Sequence, residues 1–129
     1  MRQTINELIN ISQYAGERAD YTQGGGGNTS VKNDKNGTML IKASGYRLVD
    51  INENTAFVAV DQKKIKDYYL NVDLSVEKDY EKESAELSKN SVIPVDGMAT
   101  LRPSVEVGFH TLLKKYVTVH FITVNRWLI

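Results

Sequence analysis

The sequence predicts one α/β domain, and three features carry the prediction. An amphipathic segment opens the chain, a hairpin signature follows a glycine-rich stretch, and a β-branched run lies near the end. Helical patterns fill the spaces between them. At 129 residues the chain can bury one core and is too short for two.

Residues 4–19 read as a helix. Ile5, Leu8, Ile9, Ser12, Ala15, Gly16 and Ala19 recur at helical spacing. Thr4 with Glu7 three residues on suggests an N-cap, and the pattern ends near Asp20. Four glycines, Gly24 to Gly27, then interrupt regular structure. Thr29–Lys32 reads as a strand, residues 33–37 as a hairpin turn, and Thr38–Lys42 as the returning strand. Ala43-Ser44-Gly45 breaks that strand. Ala56–Val60 is a short apolar strand, and 62–70 a short helix. Residues 72–90 are rich in Lys, Glu, Asp and Ser and read as one solvated surface helix anchored by Leu74, Tyr80 and Leu87. Pro94–Pro103 is a loop. Ser104 is positioned to cap a helix reaching about Leu113, with Glu106 in its first turn. Tyr116–Val124 reads as a strand.

Composition narrows the chemistry. Lys plus Arg and Asp plus Glu are both 16, so net charge gives no reason to expect nucleic acid or an anionic membrane as partner. Without cysteine, disulfides and thiolate metal sites are excluded, and a metal needs His, Asp or Glu. No apolar run reaches spanning length and no signal core opens the chain, so a cytoplasmic location is expected.

Four segments can carry chemistry. Gly24–Asn28 can bring backbone N–H groups and an amide to an anion. It is not a P-loop, since no Gly-Lys-Ser/Thr follows, and not a dinucleotide fingerprint, because a helix precedes it and a strand follows. Ser44-Gly45 offers a hydroxyl beside a glycine, although taken alone a plain turn is the favoured reading. Pro103-Ser104 opens a predicted helix, where anions are favoured, although a simple cap also suffices. Glu106, His110 and His120 are the metal-competent group: the first two are four apart and share a helix face.

Together, the strings GGGGNTSVK (24–32), MLIKASG (39–45) and LRPSVEVGFHTLLKKYVTVH (101–120) resemble the class II aldolase/adducin family, over nearly the whole chain. The branch containing rhamnulose-phosphate-type aldolases looks closest. The resemblance implies a three-layer α/β/α fold with a mainly antiparallel or mixed central sheet, incomplete at the C-terminus. It implies phosphate binding by Gly27, Asn28, Ser30, Ser44, Gly45 and Ser104, with Val105 departing from a serine pair. It places the catalytic glutamate at Glu106 and the first of two paired zinc histidines at His120. The implied chemistry is zinc acting as a Lewis acid on a small phosphorylated ketose, with the glutamate as general base, in an aldolase or a related epimerase. The family's homo-oligomers, commonly tetramers, set the expected assembly. Adducin-like modules without catalysis, or phosphosugar-binding modules, are the alternatives.

The pattern breaks after Phe121. The second zinc histidine is expected at position 122, where this sequence has Ile122, and a third lies beyond the chain in the family. Zinc binding is therefore expected to be weak or absent, and His110 is not assigned a ligand role by the resemblance. A coding argument accounts for the break. Isoleucine codons begin with AT, so a Phe121 codon ending in C gives CAT, histidine, one base back. The sequence thus reads as the product of a frameshifted or interrupted gene with an abnormal tail. Sequencing the DNA past codon 121 is expected to show a further zinc histidine in the alternative frame; its absence there removes the explanation.

Overall fold

The computed structural model describes residues 1–18 and 27–120. Its elements, in order, are helix α1 (Arg2–Gly16), strands β1 (Asn28–Asn33) and β2 (Thr38–Lys42), a 3-10 turn (Leu48–Asp50), strand β3 (Phe57–Asp61), helices α2 (Gln62–Asn71) and α3 (Tyr80–Asn90), strand β4 (Val92–Ile93), helix α4 (Val107–Leu112) and strand β5 (Val117–His120). The five strands form one sheet in the order β4-β3-β2-β1-β5, with every neighbouring pair antiparallel.

Side-chain alternation divides the core in two. One set of strand positions, Val31, Leu40, Phe57 and Ala59, packs with Leu8 and Ala15 of α1. The opposite set, Met39, Ile41, Val58 and Val60, packs with Ile65 of α2 and Val107 of α4. The sheet therefore has helices on both faces, the α/β/α arrangement expected from the sequence. β2 and β3 read as nearly continuous apolar runs, Met39–Ile41 and Phe57–Val60, because both faces are covered there.

Several boundaries differ from the sequence reading. α1 begins at Arg2, so Thr4 is a buried helix residue that accepts from Asn33 Nδ2 at 3.4 Å. Ala56 adopts φ +70° and lies outside β3, which begins at Phe57. The segment 72–79 is not helical. Asp73 accepts hydrogen bonds from the N–H and hydroxyl of Ser75, a local alternative to helix, and Asp79 caps α3 by accepting from the Lys82 N–H at 3.0 Å. β4 is too short to show a strand pattern, and it exists because it pairs with β3. α1 ends at Gly16, with Glu17 as its C-cap, short of the predicted end; the end predicted for the last strand lies outside the described residues.

α4 begins at Val107 instead of Ser104 because residues 103–104 are drawn to the sheet. Ala43 bridges to Pro103, the Ser44 N–H donates to Arg102 O at 2.8 Å, and the Ser104 N–H donates to Lys42 O at 3.2 Å. Ser104 Oγ then accepts from the Glu106 N–H at 3.3 Å, turning the chain into the helix. Glu106 itself occupies the N-cap.

Gly16 sets how closely α1 meets the 3-10 turn. A Cβ there would lie 2.9 Å from both Leu48 Cβ and the Val49 backbone nitrogen. Gly16→Ala would gain about 1 kcal/mol of helix propensity, but the clash involves backbone that cannot rotate away. Overpacking of this kind costs about 1–3 kcal/mol. Gly16→Ala is therefore expected to lower the urea midpoint, whereas a rise would show that the turn yields freely.

Candidate functional site

The site is built where β1, β5 and α4 meet. Asn28 and His120 are directly paired across the β1–β5 ladder, and Ser30 is paired with Thr118, so these four share one face of the sheet. α4 lies over that face. Ser30 Oγ shares a 2.7 Å hydrogen bond with His110 Nδ1, and Lys32 Nζ donates to Thr111 O at 3.1 Å and to Leu113 O. The ammonium thus satisfies carbonyls at the C-terminal end of α4, where a positive charge is favoured. Burial lowers the Lys32 pKa, partly opposed by Asp34.

Glu106 joins the two histidines. His120 Nδ1 donates to Glu106 Oε2 at 2.5 Å, and His110 Nε2 lies 3.7 Å from the same oxygen. One donor atom from each of Glu106, His110 and His120 falls within 4.8 Å of the others. His110 is fully buried, and its Nε2 has no hydrogen-bond partner. Burial pushes its pKa down to about 4, so the ring is neutral at pH 7; Glu106 opposes the shift, while His120 and Lys32 add to it. A neutral ring bonded through Nδ1–H to Ser30 presents a lone pair on Nε2. Two imidazoles and a carboxylate fit a divalent transition metal, and the unpartnered nitrogen fits it further.

A second feature adjoins the first. A cleft of about 370 Å³ is lined by Ser44, Tyr69, Ser84, Lys89, Arg102 and Ser104, among others. It brings together Ser44 and Ser104, which are 60 residues apart in sequence, and its lining reaches Val105, next to Glu106. Lys42, buried at the end of β2, donates to Tyr46 O at 2.5 Å; its pKa is lowered by burial, against the opposing pull of Glu106 and Asp50.

The other expected positions are more scattered. Gly27 has φ +85° and leads into β1, and Gly45 has φ +87° at an exposed turn, so both need glycine's conformational freedom. Asn28 is buried with an unpartnered Oδ1. Ser30 is engaged by His110, so its hydroxyl supports the histidine. Gly24 to Gly26 and Ile122 lie outside the described residues. The sequence reading did not single out Arg102 or Lys89; the signal available was a cation directly before Pro103-Ser104.

The family description "Class II Aldolase and Adducin N-terminal domain" matches residues 6–123. The chain belongs to this family. Among solved structures it is similar to the N-terminal class II aldolase domain of a conserved protein from Thermoplasma acidophilum, at 23% identity and a TM-score of 0.72. That match covers 91% of this chain and 54% of the other, so the chain spans about half the length of the solved relative. At this identity the likeness speaks for the fold. Comparison with curated proteins finds no match. Class II aldolases generally use zinc, and the Glu106, His110 and His120 group is where the described residues of this domain could hold it. No helix among the described residues is long and apolar enough to cross a membrane.

The buried histidine ties stability to pH. Its folded pKa of about 4 lies below the ordinary 6.5, so the unfolded chain binds the extra proton between these values. Its contribution is complete above pH 6.5 and is lost as pH falls toward 4, with a limiting slope of about 1.4 kcal/mol per pH unit. Denaturant titrations at several pH values are expected to show a shallower fall for His110→Gln than for the parent chain. Equal slopes would remove His110 as the source.

Proposed function

We propose that this domain catalyses metal-assisted, reversible carbon–carbon cleavage of a small phosphorylated ketose, slowed by Ile122 standing where the family has a second zinc histidine. The observation that carries the reading is the meeting of Glu106 with His120 at 2.5 Å, beside a cleft whose lining includes serine hydroxyls, Arg102 and Lys89, with the Glu81 carboxylate among them. Zinc, when bound by Glu106, His110 and His120, would supply Lewis-acid polarisation of a carbonyl.

The chain's own residues do the rest. Glu106 has two roles, metal-facing carboxylate and general base: it meets both histidines through Oε2, and the partly exposed group can take a proton from a substrate hydroxyl. His120 holds that carboxylate in place through its Nδ1–H. Ser44 and Ser104 offer hydroxyls, and Arg102 and Lys89 offer positive charge, to a phosphate lying in the cleft. A phosphate held there would orient the substrate and lower the entropic part of the barrier. The buried Asn28 amide, paired across the ladder with His120, offers a further polar contact.

Ile122 also favours a second reading, a phosphosugar-binding module without chemistry. A zinc-supplemented assay of aldehyde release from a panel of ketose 1-phosphates separates the two. Slow, zinc-dependent release is expected, with Glu106→Gln lowering kcat by about 100-fold or more while phosphate still raises the melting temperature. Phosphate stabilisation without any aldehyde release would leave the binding module. Absence of both effects would overturn the proposal.

A further inference from the structure

We infer that His110 is itself a metal ligand in this chain: one divalent transition metal ion is held by Glu106, His110 Nε2 and His120, with His110 supplying a nitrogen that position 122 does not. The inference rests on the zinc-lyase reading and names its ligands.

The first support is an atom without an explanation. His110 is fully buried, and its Nε2 has no partner among the described residues. A buried polar atom left unpaired costs about 1–3 kcal/mol, and such atoms call for a water, an ion or a functional use. At 3.7 Å, Glu106 Oε2 is too far to be its hydrogen-bond acceptor. The nitrogen is nevertheless aimed at the carboxylate that also receives His120.

The second support is how the ring is held. Metal-ligating histidines almost always fix the remaining nitrogen through a hydrogen bond. Ser30 Oγ does this at His110 Nδ1, at 2.7 Å and away from solvent. Ser30 sits on β1, anchored between β2 and β5, and the Lys32 ammonium ties the far end of α4 to the same strand. The imidazole is thus oriented by sheet and helix together. A histidine with only a packing role would not need its second nitrogen turned toward a carboxylate.

The third support is the donor set. Two histidines and a glutamate are a known ligand set for catalytic zinc, with room left for water or substrate. Mixed nitrogen and oxygen donors select zinc, cobalt, nickel or iron over magnesium and calcium, which take oxygen ligands. The side chains of Glu106 and His120 are partly exposed, which gives an ion a way in.

The sequence contains two histidines in all. An ion bound one per chain by two imidazoles must therefore use both His110 and His120. The test is calorimetric titration of the whole chain with Zn2+, cobalt(II) visible spectra, and zinc-edge X-ray absorption to count imidazoles. One ion per chain with two imidazoles is expected. His110→Gln and His120→Gln are each expected to weaken zinc binding by at least about tenfold, the lower range seen even for supporting residues, and to alter the cobalt spectrum.

No zinc binding by the parent chain, or a single imidazole on the ion, would overturn the inference. So would unchanged affinity in a folded His110→Gln variant. Should that variant not fold, the imidazole count on the parent chain decides. Two imidazoles with no aldehyde release from any ketose phosphate would sink the lyase reading and leave the metal site standing. Zinc-dependent aldehyde release with one imidazole would do the reverse.

Discussion

Strand β1 has to serve both helical layers at once, and the site depends on how it does so. Its odd-numbered side chains turn to α1, where Thr29 meets Ser12 at 2.6 Å and Val31 joins the core. Its even-numbered side chains turn to α4, where Ser30 holds His110 and Lys32 caps the helix end. Period-two alternation makes these assignments all or nothing, because a one-residue slip would exchange the two sets. It would also separate Asn28 from His120 across the ladder. The position of α4, and with it the placing of Glu106 and His110, therefore follows from the register of one strand.

The two ends of that sheet face are chemically different. Toward β2 and β3 it is apolar, with Met39, Ile41, Val58 and Val60 packed on Ile65 and Val107. Toward β1 and β5 it buries a histidine, a lysine and a serine. Desolvating these groups opposes stability, and hydrogen bonds recover only part of the cost. A fold selected for stability alone would fill this end with aliphatic side chains. The unpartnered Nε2 of His110, like Oδ1 of Asn28 on the same face, breaks the local rules of packing, and such breaks concentrate at functional sites.

Much of this was legible in the residues. The apolar spacing of Leu8, Ser12 and Ala15 gave the buried face of α1, and the Asn33–Gly37 turn gave the β1–β2 hairpin. The three motif strings led to the family that the match over residues 6–123 establishes. Other features were hidden because their causes are distant. Residues 103–104 resemble a helix start, yet Lys42 O and Ala43 hold them against the sheet. β4 has two residues and no pattern of its own. Ser30 reads in the sequence as a phosphate ligand, and nothing local announces its hydrogen bond to an imidazole 80 residues away.

By itself the sequence determined the inventory: an α/β chain without cysteine, a carboxylate and a histidine four apart, a second histidine on a later strand, and isoleucine at position 122. These follow from local spacing and residue chemistry, which need no third dimension. Tertiary structure alone decided which inventory members meet. It joined Ser44 to Ser104 in one cleft, set His120 beside Asn28, and turned His110 inward so that Glu106 lies between two imidazoles. Hydrogen-bond geometry and burial are properties of contacts between distant segments, and only the packed sheet brings those segments within reach.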